Sequence, residues 1–179
     1  MFARTQRLTL RPGWPEDAPA IAAAIGHEAV VMRLSRVPWP YRVEDAAVWL
    51  ALSRQSPETV ALVLDHSPAE PRLVGAAGLH REDGEIELGY WYTPDAWGRG
   101  IATEAGRAMI DIARHCLGLR RLASRYHLDN PASGRVLHKL GFTATGETRP
   151  VHSRAQGRTV ETAMMRLDLG PAAAVANRP

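Results

Sequence analysis

The chain has 179 residues, of which 45% are hydrophobic and 23% are charged, and this length and balance predict one folded domain and exclude a globally disordered chain. The formal net charge of +3 suits a phosphorylated cofactor or an acidic partner, but it falls far short of the basic stripe of a nucleic-acid-binding protein. The single cysteine excludes a disulfide framework, no Cys/His cluster has metal-ligand spacing, and the sequence shows no signal segment or membrane-spanning run, so the expectation is a soluble, cytoplasmic protein without a metal.

Predicted strands are marked by alternating apolar and polar residues that end at proline or glycine. They cover residues 7–11, 59–65, 73–80, 85–92 and 121–127, followed by a final hairpin over 142–169 with a polar tip at 152–159. Apolar residues at helical spacing predict helices over 15–26, 43–55, 101–116 and 131–140. This order predicts an α/β (α+β) domain over residues 1–169, a single mixed, mostly antiparallel sheet of about seven strands with helices on both faces. The strands at 85–92 and 121–127 should be parallel because a helix connects them, and residues 170–179 should form a frayed tail.

The proline-rich loop at 35–41 carries two large aromatic side chains, Trp39 and Tyr41. One interpretation is that the loop packs down on the core. The other is that these side chains form a wall of a substrate pocket. The sequence leaves both open.

Three further side chains have a structural interpretation. Cys116 falls on the apolar face of the helix predicted over 101–116 and is expected in the core. His127 and His138 have no partners at metal or triad spacing, and both are expected at the surface.

The segment after the strand at 85–92 predicts an anion-binding site. Gly98-Arg99-Gly100 leads directly into a helix, and glycine lets the backbone approach a ligand closely or take a positive φ. The first N–H groups of a helix have no partner within it, and the helix dipole adds partial positive charge there. A phosphate or pyrophosphate is the expected guest, although an ordinary strand-to-helix turn gives the same pattern. The segment lacks the GK[ST] of a P-loop and the third glycine of a dinucleotide fingerprint.

The helix predicted over 131–140 has a clear start. Asn130 is the expected N-cap and Pro131 the first helical residue. Ala132, Val136 and Leu140 predict the buried stripe of this helix.

Three stretches together resemble the GNAT acyl-CoA N-acyltransferases, and within them the RimJ/RimL-type enzymes that acetylate ribosomal-protein N-termini. They are RLTLRPGWPEDAPAI, GYWYTPDAWGRGIATEA and DNPASGRVLHKLGF, which occur in the family's order and cover most of residues 4–169. Two positions depart from the pattern. The broad family prefers Gln or Arg where this chain has Trp97, and many members place a tyrosine acid where it has Leu137, so a tyrosine-assisted mechanism is not carried over.

The resemblance implies acetyl-CoA as the cofactor. Backbone N–H groups of the glycine loop would hold the pyrophosphate, with Arg99 adding charge, and the pantetheine arm would lie where the strand at 85–92 splays from its parallel neighbour. Gly89 is the residue of that strand expected to mark a bulge. The implied cofactor-binding residues are Tyr92, Thr93, Trp97, Gly98, Arg99, Gly100, Ile101, Ala102, Thr103, Asn130, Ser133 and Arg135.

Acyl transfer to an amine needs a base to keep the amine neutral and an acid for the departing thiolate. Glu161 heads an apolar strand face, where it either borders a pocket and acts as the base or simply lies in water; the resembling subfamily often has an acidic residue here that faces the substrate. Glu87 is the rival candidate for the base. Its other interpretation is an exposed strand residue whose carboxylate pairs with a neighbouring Arg. The resemblance aligns Ser133 with the serine that protonates the thiolate, although a serine there also suits a helix start.

The sequence therefore predicts an N-acetyltransferase that moves an acetyl group from acetyl-CoA to a primary amine by direct attack in a ternary complex. The acceptor is either a protein N-terminus or a small molecule such as a polyamine, an amino acid or an antibiotic. Nucleic acid and membrane are not expected partners, and a homodimer is the default assembly. A non-catalytic acyl-CoA-binding sensor or partner module is the alternative, and an interaction domain without cofactor is a third.

Overall fold

The computed structural model describes residues 2–55 and 59–170, so the predicted tail beyond Gly170 lies outside the described residues. The strands are β1 (Ala3–Arg4), β2 (Leu8–Arg11), β3 (Thr59–Asp65), β4 (Arg72–Glu82), β5 (Glu85–Tyr92), β6 (Arg121–His127), β7 (Thr143–Ser153) and β8 (Arg158–Asp168). The helices are α1 (Ala18–Ile25), α2 (Glu28–Val31), α3 (Val43–Gln55), α4 (Ile101–Asp111) and α5 (Pro131–Lys139). One 3-10 turn, Pro15–Asp17, precedes α1, and another, Pro94–Ala96, follows β5. A π-helical turn, Ile112–Cys116, continues α4.

All of the strands form one sheet in the order β1-β2-β3-β4-β5-β6-β8-β7. Every neighbouring pair is antiparallel except β5 and β6, which are parallel. The predicted fold class and the parallel central pair are therefore confirmed, with eight strands where about seven were expected. The additional strand β1 and helix α2 span two and four residues, too short to leave a period in the sequence.

The helices cover both faces of this sheet, as predicted. Ile21 of α1 and Leu50 of α3 are 1% and 3% exposed and pack on Leu62 of β3. On the opposite face, Met109 of α4 and Leu137 of α5 are fully buried in the larger core. Burial of each such side chain contributes roughly 1.5–3 kcal/mol to the stability of the fold. The sheet therefore separates two layers of helices that pack firmly on its faces. No helix among residues 2–55 and 59–170 is both long and apolar enough to cross a bilayer.

The prediction that Cys116 lies in the core is wrong, because this cysteine is exposed. The cause is the π-helical turn, in which the N–H of Leu117 donates to the carbonyl oxygen of Ile112, five residues back, at 3.1 Å. A wider turn shifts the helical phase. Ala113 is therefore the fully buried residue of this turn, and Cys116 rotates out of the apolar stripe.

The predicted buried stripe of α5 is also only partly correct. Leu140 is buried as expected, but its buried partners are Gly134 and Leu137, whereas Ala132 is exposed and Val136 half-buried. A Cβ at Gly134 would lie 2.8 Å from Cζ of Tyr126, so glycine lets α5 approach β6 along this side. The helix start is confirmed: the Asn130 side chain accepts a hydrogen bond from the N–H of Ser133 at 3.4 Å.

Candidate active site

The centre of the sheet is parted between its two parallel strands. β5 and β6 are in register at one position, Glu87 opposite Ala123, and the Ser124 hydroxyl donates to the carbonyl oxygen of Leu88 at 2.8 Å. No register pair joins the two strands beyond this point in the described chain. The last residues of β5 consequently present backbone groups to a gap inside the sheet.

The predicted bulge at Gly89 is wrong. Gly89 pairs with Gly78 in a register that runs without a shift from one end of β5 to the other. A Cβ at Gly89 would lie 3.0 Å from Cε1 of His80, so the missing side chain makes room for that ring rather than for a kink.

A cavity of about 290 Å³ opens at the glycine loop, on the side of the sheet covered by α4 and α5. Gly98 and Gly100 have φ values of +73° and +79°, which only glycine takes at little cost. Gly100 is the N-cap of α4, so the next N–H groups have no partner within the helix. The predicted cofactor residues that line this cavity are Tyr92, Trp97, Gly98, Gly100, Ile101, Ala102, Thr103, Asn130, Ser133 and Arg135.

Thr93 and Arg99 are the predicted cofactor residues that do not line this cavity. Thr93 is buried at the end of β5. The Arg99 guanidinium is turned to the buried Asp65 carboxylate, with 2.9 Å between the two groups. That arginine therefore faces away from the position that the sequence predicted for it.

Arg7, which sequence reasoning missed, holds the glycine loop through hydrogen bonds to the loop backbone and to α4. Its guanidinium donates to the carbonyl oxygen of Arg99 at 3.0 Å and to the carboxylate of Glu104 at 2.8 Å. The same carboxylate accepts from the Thr5 hydroxyl and from the backbone N–H of Arg7. This bond fixes one carbonyl of the loop, and the first N–H groups of α4 have no partner within the helix. A left-handed glycine loop at a helix N-terminus fits a diphosphate.

A second cavity, of about 490 Å³, lies on the other face of the sheet. Its walls are held together where the β7–β8 hairpin docks on the segment after α2: the N–H of Arg154 donates to Ser35 O at 2.8 Å, and the Ser153 hydroxyl donates to Leu34 O at 3.2 Å. Tyr41 lines this cavity, as one interpretation of the aromatic loop predicts, whereas Trp39 does not.

Glu87 lies at this second cavity, on the face of β5 that alternation assigned to it. It is 4% exposed, so the predicted alternative of an exposed carboxylate is wrong, while its arginine partner is present. Arg125 Nε lies 3.1 Å from Oε2 of Glu87, and His80 Nε2 lies 3.7 Å from the same oxygen. Burial raises the pKa of Glu87, and the Arg125 cation opposes that rise. Arg125 also binds Glu82 at 2.8 Å, so the base candidate belongs to an ion-pair network.

The prediction for the two histidines is half correct. His138 is exposed, but His127 is buried at 4% exposure and borders the second cavity. Its Nε2 lies 3.1 Å from the Ser35 hydroxyl, and burial lowers its pKa, which favours the neutral ring. The end position of β6 beside the parted strands causes this burial, and no local sequence signal marks it.

The other two predicted catalytic residues occupy different surroundings. Glu161 is exposed on β8 and lines neither cavity; its role as base stays a prediction that no contact supports. Ser133 is half-buried at the start of α5 and lines the smaller cavity. Its Oγ lies 2.9 Å from the hydroxyl of Tyr90, a residue that sequence reasoning did not single out as functional.

A family model described as "Acetyltransferase (GNAT) domain" matches residues 7–143. "Uncharacterized N-acetyltransferase p20" of Bacillus licheniformis is 27% identical over 171 residues, 91% of this chain and 93% of that protein. The "Ribosomal-protein-serine acetyltransferase" of Escherichia coli is 31% identical over 80 residues, 43% of this chain and 45% of that protein.

Solved structures share the fold. A GNAT-family acetyltransferase from Bacillus anthracis superposes with a TM-score of 0.78 at 21% identity, covering 94% of this chain and 99% of its own. The microcin C7 self-immunity acetyltransferase MccE, solved in complex with acetyl-CoA and AMP, superposes with a TM-score of 0.76 at 15% identity, covering 92% and 93%. Because the family match spans most of the chain and agrees with the loop and the parted strands, this protein belongs to the GNAT family and is an acetyl-CoA-dependent N-acetyltransferase.

Proposed function

We propose that the acceptor is a primary amine that enters the larger cavity and is acetylated by direct attack while acetyl-CoA occupies the smaller one. The observation that carries this proposal is the buried carboxylate of Glu87 in the larger cavity, on the strand whose other face borders the smaller cavity. A volume of about 490 Å³ is in the range of small-ligand sites. The amine and the acetyl donor would thus approach β5 from opposite faces.

Glu87 is the base in this proposal. A carboxylate whose pKa is raised by burial accepts a proton more readily near neutral pH than an exposed one. Arg125 holds its orientation from 3.1 Å. Glu161 remains the rival, and the support for Glu87 is that it faces a cavity and Glu161 does not.

Acetyl-CoA, when bound, supplies the acetyl thioester. The loop N–H groups from Gly98 to Thr103 would hold its diphosphate, and the Ser133 hydroxyl would donate to its sulfur. Cys116 is exposed beyond the end of α4 and lines neither cavity. This placement supports transfer without an acyl-cysteine step.

The charges of the larger cavity bear on the acceptor. Its lining contains the cations Arg33, Arg36 and Arg125 and the carboxylates Glu82 and Glu87. A polycation such as a polyamine would meet this basic excess unfavourably, whereas a single amine with neutral or acidic neighbours would not. The E. coli relative named for a ribosomal-protein serine supports a protein N-terminus of the RimJ/RimL type. A cytoplasmic, homodimeric enzyme is part of the same proposal.

Turnover of acetyl-CoA tests the proposal, with thiol release as the readout. The panel contains peptides with acidic, neutral and basic residues after the N-terminal one, free amino acids, and spermidine. We expect turnover on peptides with an acidic second or third residue and little on spermidine. Binding of acetyl-CoA without turnover on any amine would instead favour the non-catalytic acyl-CoA sensor.

A further inference from the structure

We propose that Tyr90 positions the hydroxyl proton of Ser133 toward the leaving sulfur, so that the two hydroxyls work as one donor. The inference rests on the proposed function, because it takes Ser133 as the group that donates to the sulfur. The tyrosine in this inference lies on β5, whereas many members of the resembling family have a tyrosine acid on the short helix, at the position of Leu137.

Tyr90 stands where the two cavities meet. The described residues that border both cavities are Arg33, Leu34, Tyr90 and Trp91. The reacting atoms must lie near this shared wall, since the amine comes from one cavity and the acetyl donor from the other. Among these four side chains, Tyr90 alone carries a hydroxyl.

The contact between the two hydroxyls is short. Tyr90 Oη lies 2.9 Å from Ser133 Oγ and 3.2 Å from the carbonyl oxygen of Ser133. A phenol has one proton and can donate to only one of these acceptors. The shorter distance favours donation to Oγ over donation to the carbonyl oxygen.

This direction of donation decides where the serine proton points. If Ser133 Oγ accepts from Tyr90, its own proton is free, and Ser133 lines the smaller cavity. Burial raises the pKa of Tyr90 to about 12, so the phenol stays protonated at physiological pH. A donor aimed at a thiolate stabilises the charged form and lowers the pKa of the thiol. The proton that Glu87 takes from the amine then passes to solvent, and solvent returns one proton to the thiolate.

The other candidates on these elements do not offer the same contact. Leu137 is fully buried beneath α5 and has no polar group. Tyr92 has its ring centroid 5.9 Å from that of Tyr90, but its hydroxyl is buried without a hydrogen-bond partner. Tyr90 is therefore the phenol whose hydroxyl is hydrogen-bonded to Ser133 in the part of the chain that the structure describes.

The test uses Tyr90→Phe, which keeps the ring and removes the hydroxyl, beside Ser133→Ala and the double variant. We expect each single variant to lower kcat about 10²-fold, as the loss of one preorganised donor does, with KM for acetyl-CoA nearly unchanged. The double variant should be no worse than either single one, because the two groups act as a unit.

Binding supplies the readout that a packing role would not move. Desulfo-CoA, which lacks the sulfur, should bind the wild type and Tyr90→Phe equally. CoA titrated by thiolate absorbance should show a higher thiol pKa in the variant than in the wild type. Equal weakening of both ligands would mean that Tyr90 serves packing, and the inference would be overturned.

The outcomes also distinguish a failure of this inference from a failure of the proposed function on which it rests. If Ser133→Ala lowers kcat and Tyr90→Phe does not, Ser133 keeps its role and the inference alone fails. If Ser133→Ala leaves kcat unchanged, the proposed donor is wrong and the inference falls with it. Additive losses in the double variant would show that the two hydroxyls act separately, which contradicts the inference.

Discussion

Replacing Glu87 by glutamine is the most direct probe of the proposed base. Glutamine has nearly the same shape, and its side-chain oxygen can still accept from Arg125, which lies 3.1 Å from Glu87. Arg125 also keeps Glu82 at 2.8 Å, so the variant leaves no unpaired guanidinium. What the amide cannot do is take a proton from the amine, and the loss should appear in turnover rather than in folding.

The expected size follows from the burial of the site. A positioned general base contributes about 10²–10⁴-fold, and we take the lower bound because a cavity of about 490 Å³ also admits water that can replace the base in part. Glu87→Gln should therefore reduce kcat/KM for the amine about 10²-fold, which equals about 2.7 kcal/mol of barrier. The affinity for CoA should not change, since Glu87 borders the other cavity.

Thiol release at saturating acetyl-CoA, followed as a function of amine concentration, measures this. Glu161→Gln is the discriminating comparison and Glu147→Gln, on the exposed β7 strand, the inert control. A loss confined to Glu161→Gln would refute the reasoning from burial and restore the base that the strand pattern favoured. Equal losses in both variants would mean that neither carboxylate is the unique base.

Three other variants test the surroundings of the site. Arg125→Met removes the cation that opposes the raised pKa of Glu87, and because the base works deprotonated, the acidic limb of the kcat/KM profile should move to higher pH; a move to lower pH would contradict the assignment. Gly100→Ala imposes a side chain at φ +79°, which costs about 1–2 kcal/mol; because this φ belongs to the fold itself, urea unfolding should show a loss of that size, and an unchanged free energy of unfolding would mean that the loop relaxes to another conformation. Gly75→Ala places a Cβ against the carbonyl oxygen of Trp91, and urea unfolding should show a loss of about 1–3 kcal/mol; a loss below that range would show that β4 and β5 adjust freely.

Local pattern predicted the parts of the molecule that neighbours in sequence determine. The alternation of β5, the cap at Asn130 and the left-handed glycines before α4 depend on a few adjacent residues. The bounds of β3, β5 and β6 agree with the predicted ones for the same reason. The fold class followed from the order of these elements.

The features that the sequence could not predict depend on residues far apart in the chain. Glu87 is buried between His80 of β4 and Arg125 of β6, and His127 is buried at the end of β6. The pairing of Tyr90 with Ser133 joins positions 43 residues apart. The turn that exposes Cys116 is a local irregularity, but the sequence at 112–116 continues the helical period and gives no sign of the extra residue.

The parting of β5 from β6 divides the sheet into two halves, β1 to β5 and β6 to β8. They are joined by the register pair at Glu87, by the contacts of Ser124 and Arg125 with β5, and by the helices packed on the sheet. A donor molecule bound in the opening would contact both halves of the sheet and hold them together. Hydrogen exchange at the amides of residues 89–92 should therefore slow on binding, and at a hundredfold excess over Kd the whole fold should gain about 2.7 kcal/mol. When acetyl-CoA is scarce, more of the enzyme is without its donor, and this less stable form should be cleaved faster by proteases.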